Sequence, residues 1–196
     1  MDKDHDIHKI LLERIGWMLE ADDFETAKLA MVSFNKEHDI GKQYLVDNLY
    51  NHVRSANKII VGGGWTGVLA NKLQIRYKCH VLNLDSDQRW IDLGCKIFPN
   101  VQFKCQNNWE FDGKCDIWAS TSCEHYDRQE LIFEMQKRKG TVFALQSNNW
   151  YGWPTHINCS DTLADFIDYL PLNNIYYTGE YPIYREKYKR FTVIGS

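Results

Sequence analysis

Two polar stretches hold the residues best suited to chemistry. One is Ser120-Thr121-Ser122-Cys123-Glu124-His125; the other is Gln146-Ser147-Asn148-Asn149-Trp150 with His156-Ile157-Asn158-Cys159 behind it. Glu124, His125 and His156 can take or give a proton near neutral pH. With Cys123 and Cys159 they are also possible ligands for zinc or iron, although their spacing matches no standard ligand motif and no metal is assigned. A third possibility is purely structural, with loop-anchoring hydrogen bonds and buried thiols as packing. His125 is preferred to His156 as a base because it lies closer to the end of the preceding strand.

A second group suits ligand binding. Lys58-Ile59-Ile60-Val61 runs into Gly62-Gly63-Gly64-Trp65-Thr66-Gly67, and Asp85 ends a second apolar run eighteen residues past Gly67. Strand, glycine turn, helix, strand and acid is the arrangement by which a Rossmann-type fold builds a nucleotide pocket. Glycines let the backbone turn sharply and let a ligand approach, and the acid accepts ribose hydroxyls. Trp65 covers the ligand or simply packs. Asp87 is read as a helix cap, and Asp116 as an edge residue.

The elements that must position these groups alternate from residue 57 onward. Strands are expected at 58–61, 79–84, 101–105, 115–119 and 141–145. Helices are expected at 66–75, 88–93, 128–139 and 162–169, the last capped by Ser160-Asp161. Two runs, 174–181 and 189–195, are joined too closely for a helical crossover and form an antiparallel hairpin. Residues 1–56 read as helical: Ile7, Ile10, Leu11, Ile15, Met18 and Leu19 form one stripe, 24–34 a second segment, and 41–55 a third. The junctions are Asp22-Asp23 and Asp39-Ile40-Gly41. The expected division is a helical cap at 1–56 and a ligand-binding domain at 57–196. The helical part either packs on a sheet edge or closes over the ligand as a lid.

Composition narrows the function classes. The chain has 196 residues, 44% hydrophobic and 14% aromatic, enough for a substantial core. Net charge is −3, and no basic block exceeds Lys137-Arg138-Lys139. A nucleic-acid partner is therefore not expected. Six cysteines occur without a CxxC pair. With no secretory leader and no apolar run of membrane-spanning length, a reduced cytoplasmic setting without a membrane partner is expected.

The order of strands, glycine turn, acid and terminal hairpin resembles the class I S-adenosylmethionine-dependent methyltransferase superfamily. The resemblance implies an α/β, three-layer αβα Rossmann-like fold. Its mostly parallel seven-stranded sheet ends in the antiparallel hairpin and is preceded by the N-terminal helical segment. It implies S-adenosylmethionine as cofactor, held by Gly62, Gly63, Gly64, Trp65 and Gly67, by Asp85 and Ser86, by Asn107 and Asn108 after strand 3, and by Ser120 and Thr121. That third site is usually acidic in the family; here it is an amide. The stretch after strand 4 is not the Asn/Asp-Pro-Pro-aromatic tetrad of amino-directed DNA methyltransferases. The implied reaction is methyl transfer to a small-molecule acceptor, with His125, Glu124 and His156 as catalytic candidates. Members that use the cofactor without methyl transfer, such as nicotianamine-synthase-like enzymes or cofactor-cleaving ones, share the fold. Outside enzymes, a nucleotide- or partner-binding module is the remaining alternative.

Overall fold

The computed structural model describes residues 16, 24–183 and 187–196. The helix expected around Ile7 to Leu19, Gly16 apart, and part of the hairpin connection lie outside the described residues. The described elements run α1 (Phe24–Ser33), α2 (Lys36–His52), β1 (Lys58–Gly62), α3 (Val68–Tyr77), β2 (His80–Asp85), α4 (Gln88–Ile97), β3 (Gln102–Cys105), β4 (Ile117–Ser120), α5 (Arg128–Lys137), β5 (Val142–Asn148), α6 (Leu163–Asp168), β6 (Ile175–Ile183) and β7 (Tyr188–Gly195). Short 3-10 turns sit at Asn108–Glu110 and Cys123–His125.

The seven strands form one sheet in the order β3-β2-β1-β4-β5-β7-β6. The first five are mutually parallel, and β7 pairs antiparallel with both β5 and β6. Strand alternation sends neighbours to opposite faces. Ile59 and Val61 join one buried cluster with α2, α3 and α4, whereas Ile60 joins the other with α5 and α6. The result is the three-layer αβα arrangement with a closing hairpin.

Local chemistry explains the boundaries. Asp87 caps α4 by accepting the Arg89 amide, and Asp127 caps α5 through the amides of Gln129 and Glu130. For α6 the cap is Thr162 in a reciprocal box with Asp165, not Ser160-Asp161, because only that spacing places an acid three residues into the helix. Asp116 is not a bare edge residue: its carboxylate accepts the amides of Asn57 and Lys58 at 2.7 and 3.0 Å and ties the start of β1 to β4.

Two departures bear on the site. First, α2 is one continuous helix across Asp39-Ile40-Gly41, starting at Asn35, whose side chain accepts the His38 amide. Gly41 is retained inside it because a Cβ there would overlap Tyr181 Oη; close packing outweighs the usual cost of about 1 kcal/mol for a helical glycine. Second, β5 extends through Gln146-Ser147-Asn148, expected as a loop, because these residues pair with Thr192, Phe191 and Arg190 of β7. Their side chains are buried, and Gln146 Nε2 donates to Gly41 O and Thr192 Oγ1, each at 3.0 Å. Leu45, Val46 and Leu49 of α2 are fully buried in the same cluster as β1 and α3.

Candidate functional site

The glycine turn, Asp85 and the stretches after β4 and β5 all lie at the C-terminal end of the parallel strands, where open α/β sheets bind ligands. The turn after β1 has left-handed backbone at Gly63 (φ 59°), Trp65 (φ 50°) and Gly67 (φ 82°). A tryptophan in that region is unusual. It is held there by β2: Asp85 Oδ2 accepts the Trp65 amide at 2.9 Å, and Asn83 Nδ2 donates to the Trp65 carbonyl at 3.2 Å. The Trp65 ring stacks on Trp90 at 5.8 Å between centroids, with Lys42 Nζ 6.0 Å above it.

Asp85 is buried at the end of β2. Its second oxygen accepts the Asp87 amide at 3.0 Å. Burial pushes its carboxyl above the usual range, and the Asp87 and Trp65 amides oppose that shift. A carboxylate has about four acceptor positions, and the amides of Trp65, Asp87 and, more weakly, Ser86 engage three of them. Asp85 thus retains acceptor capacity toward a ribose.

The remaining expected cofactor residues divide. Gly62, Gly63, Gly64 and Gly67 form the turn, but no side chain could replace them without collision: a Cβ on Gly62 would meet Trp118, on Gly63 Tyr126 Oη, on Gly64 Asn83, and on Gly67 Phe103. Asn107 is exposed after β3 and accepts the Trp109 amide. Asn108 turns inward instead, accepting the Gly63 amide at 3.2 Å and donating to Tyr126 Oη at 3.1 Å. Ser120 Oγ also bonds Tyr126 Oη, at 3.0 Å, and accepts the Ser122 amide. Asn108 and Ser120 are thus both tied to Tyr126, a residue without a sequence signal of its own. The Thr121 carbonyl accepts Arg190 Nη1 at 2.9 Å, and Ser86 is exposed.

Glu124, His125 and His156 are brought together; their ligand atoms lie within 4.8 Å of one another. The two imidazole rings meet edge to face at 4.7 Å. Glu124 is 3% exposed. Asn148 Nδ2 donates to Glu124 Oε1 at 2.7 Å, and Arg190 Nη1 lies 3.8 Å from that oxygen. The Glu124 carbonyl accepts the amides of Ile157 and Asn158 at 2.9 and 3.0 Å, which fixes the loop carrying His156. His125 Nδ1 sits 3.0 Å from Thr155 O and His156 Nδ1 2.6 Å from Trp150 O. A backbone carbonyl can only accept, so each Nδ1 carries a proton, and in the neutral ring it is Nε2 that offers the lone pair. Burial is the main cause lowering the pKa of His125; Glu124 opposes it.

Three contributors come from parts of the chain that local patterns do not join to this place. His38 and Lys42 project from α2, and Arg190 from β7. Burial pushes Lys42 down to about 7, with Arg190 the next cause and Asp39 opposing. His38 is pushed down to about 3 by burial and then by Lys42, Arg190 and His125. Cys123 and Cys159 remain outside the Glu–His–His cluster; both thiols are buried, and burial pushes Cys159 up to about 11.

No protein-family model and no curated protein sequence matches the chain. Solved structures do. N-methyltransferase NodS from Bradyrhizobium japonicum WM9 with S-adenosylhomocysteine superposes with TM-score 0.65 at 10% identity, over 84% of this chain and 90% of that one. Magnesium protoporphyrin IX methyltransferase from Synechocystis PCC 6803 with bound S-adenosylmethionine gives 0.63 at 14%, over 87% and 84%. Geranyl diphosphate C-methyltransferase from Streptomyces coelicolor A3(2) gives 0.59 at 13%, over 83% of each chain. At such identities the likeness concerns architecture, and it agrees with the strand order and terminal hairpin described above. The chain therefore has the Rossmann-like fold of the class I S-adenosylmethionine-dependent methyltransferases.

Proposed function

We propose that the chain is an S-adenosylmethionine-dependent methyltransferase acting on a small-molecule acceptor. The observation that carries this reading is Asp85: a buried carboxylate at the end of β2, wired to the backbone of the β1 turn, in a fold similar to that of proteins solved with S-adenosylmethionine or S-adenosylhomocysteine. The Gly62–Gly67 turn would hold the methionine portion and Asp85 the ribose hydroxyls, with Asn107 beside the adenine. When bound, the cofactor supplies an electrophilic methyl group.

The chain's own contribution is placement and exclusion of water. Trp65, Trp90 and the α2 side chains wall one side of the turn. Glu124, His125 and His156 stand on the acceptor side, where a nucleophilic atom must be held and relieved of its proton. The acidic balance of the chain supports a small acceptor.

The test is product analysis by mass spectrometry after incubating the purified chain with S-adenosylmethionine and a fractionated small-molecule extract. Accumulation of S-adenosylhomocysteine together with an acceptor product heavier by one net CH₂, a methyl group having replaced a proton, is the expected result. Methylthioadenosine in its place would overturn methyl transfer in favour of aminocarboxypropyl transfer or cofactor cleavage.

A further inference from the structure

The Glu124–His125–His156 cluster has more order than a proton acceptor needs. Both imidazoles turn Nδ1 toward a backbone carbonyl, at 3.0 Å for His125 and 2.6 Å for His156. This is how metal-binding histidines are commonly oriented, with the second nitrogen left as the ligand. Glu124 supplies the third group. Its Oε1 is bonded by Asn148, but Oε2 is buried and has no hydrogen-bond partner among the described residues. Leaving a buried carboxylate oxygen unsatisfied costs about 1–3 kcal/mol or more. A structural glutamate beside two histidines would be expected to accept an N–H from one of them; here both rings donate elsewhere.

We propose that Glu124, His125 and His156 bind a divalent first-row transition ion of the zinc or iron(II) class, with at least one coordination position open toward the acceptor. Two imidazoles and a carboxylate are a ligand set that both ions accept while keeping an exchangeable position. The ligand atoms already lie within 4.8 Å of one another; binding would bring them to about 3.3–3.6 Å, the spacing set by bonds of about 2.0–2.2 Å in tetrahedral geometry. His125 and Glu124 lie on one 3-10 turn and the His156 loop is pinned to the Glu124 carbonyl, so the three ligands are held close together before an ion arrives. Asn148 orients the carboxylate, and Arg190 addresses only Oε1.

Ion binding itself does not depend on the methyl-transfer reading; its role does. Under that reading, an acceptor oxygen or nitrogen enters the open position, releases its proton to water and keeps its electron pair for attack on the methyl carbon.

The untagged full chain, stripped with a chelator, is titrated with Zn²⁺ by calorimetry and with Co²⁺ by visible absorption. One ion per chain is expected, with affinity falling more than about 100-fold in Glu124→Gln, His125→Ala and His156→Ala, beyond the 10–100-fold that outer-shell changes cause. His52→Ala, altering an exposed histidine at the end of α2, should leave the titration unchanged. X-ray absorption of the zinc-loaded wild type should show only nitrogen and oxygen neighbours at about 2.0–2.2 Å. Absence of binding, equal affinity in all variants, or sulfur in the first coordination sphere overturns the proposal whether or not a variant folds poorly. S-adenosylhomocysteine formation by a chain that binds no ion would leave the methyl-transfer reading standing and return the proton to His125.

Discussion

Asn148 Nδ2 donates to Glu124 Oε1 at 2.7 Å and so joins the end of β5 to the 3-10 turn that follows β4. The same asparagine accepts the Trp150 amide at 2.8 Å through Oδ1. One buried amide thus sets both the glutamate and the start of the loop that carries His156. Asn148→Ala is expected to destabilise the chain by about 1–3 kcal/mol, since the Glu124 carboxylate stays buried. It should also weaken the proposed ion by 10–100-fold, the usual effect of an orienting residue. Denaturant midpoints and metal titration of the same preparation measure the two effects separately.

Gly63 combines left-handed backbone with direct contact to Tyr126 Oη. Gly63→Ala should cost roughly 2–4 kcal/mol, part from backbone strain and part from collision. In the Tyr126→Phe background, which itself loses the bonds to Asn108 and Ser120, the same change should cost only the first part, about 1–2 kcal/mol. Urea unfolding of the two single variants and the double one forms the required cycle.

The contact between Gly41 and Tyr181 fixes α2 on the hairpin. In an open helix, glycine to alanine would stabilise by about 1 kcal/mol. Here Gly41→Ala is expected to destabilise. With Tyr181→Phe the helix preference should re-emerge, so the double variant melts above Gly41→Ala alone. A melting temperature for Gly41→Ala equal to or above wild type would mean that α2 does not sit on Tyr181.

Lys42 provides a pH signature. Its ordinary pKa of 10.5 falls to about 7 in the fold because burial disfavours its charge; Arg190 and Lys72 add to that, while Asp39 and Glu124 oppose it. Between these values the unfolded chain holds a proton that the folded chain has released, so the unfolding free energy rises with pH. The slope approaches about 1.4 kcal/mol per pH unit for one proton. In Lys42→Met this component of the rise from pH 7 to 10 should vanish, as read by urea unfolding at a series of pH values.

Much of the frame was legible because it depends on local pattern. The β-branched run Lys58–Val61, the acid at Asp85 and the paired runs before the C-terminus each announce an element through residues close in sequence. Where the reading failed, distant partners decided. Gln146, Ser147 and Asn148 looked like loop because they are polar, yet β7, Gly41 and Glu124 supply their hydrogen bonds. Gly41 looked like a helix break because the tyrosine that requires it lies on β6. His38, Lys42 and Arg190 reach the site from α2 and β7, and no spacing rule links them to Glu124. Asn108 and Ser120 were legible as polar residues near the turn, but Tyr126, which engages both, carried no motif.

Methyl transfer by this chain requires S-adenosylmethionine to bind at the Asp85 turn. Calorimetric titration of the full chain with S-adenosylmethionine, beside Asp85→Ala, tests it most directly. Saturable binding at one site, weakened at least tenfold by loss of the carboxylate, a change of about 1.4 kcal/mol or more, is the predicted result. No binding by the wild type, or equal affinity in the variant, would contradict it.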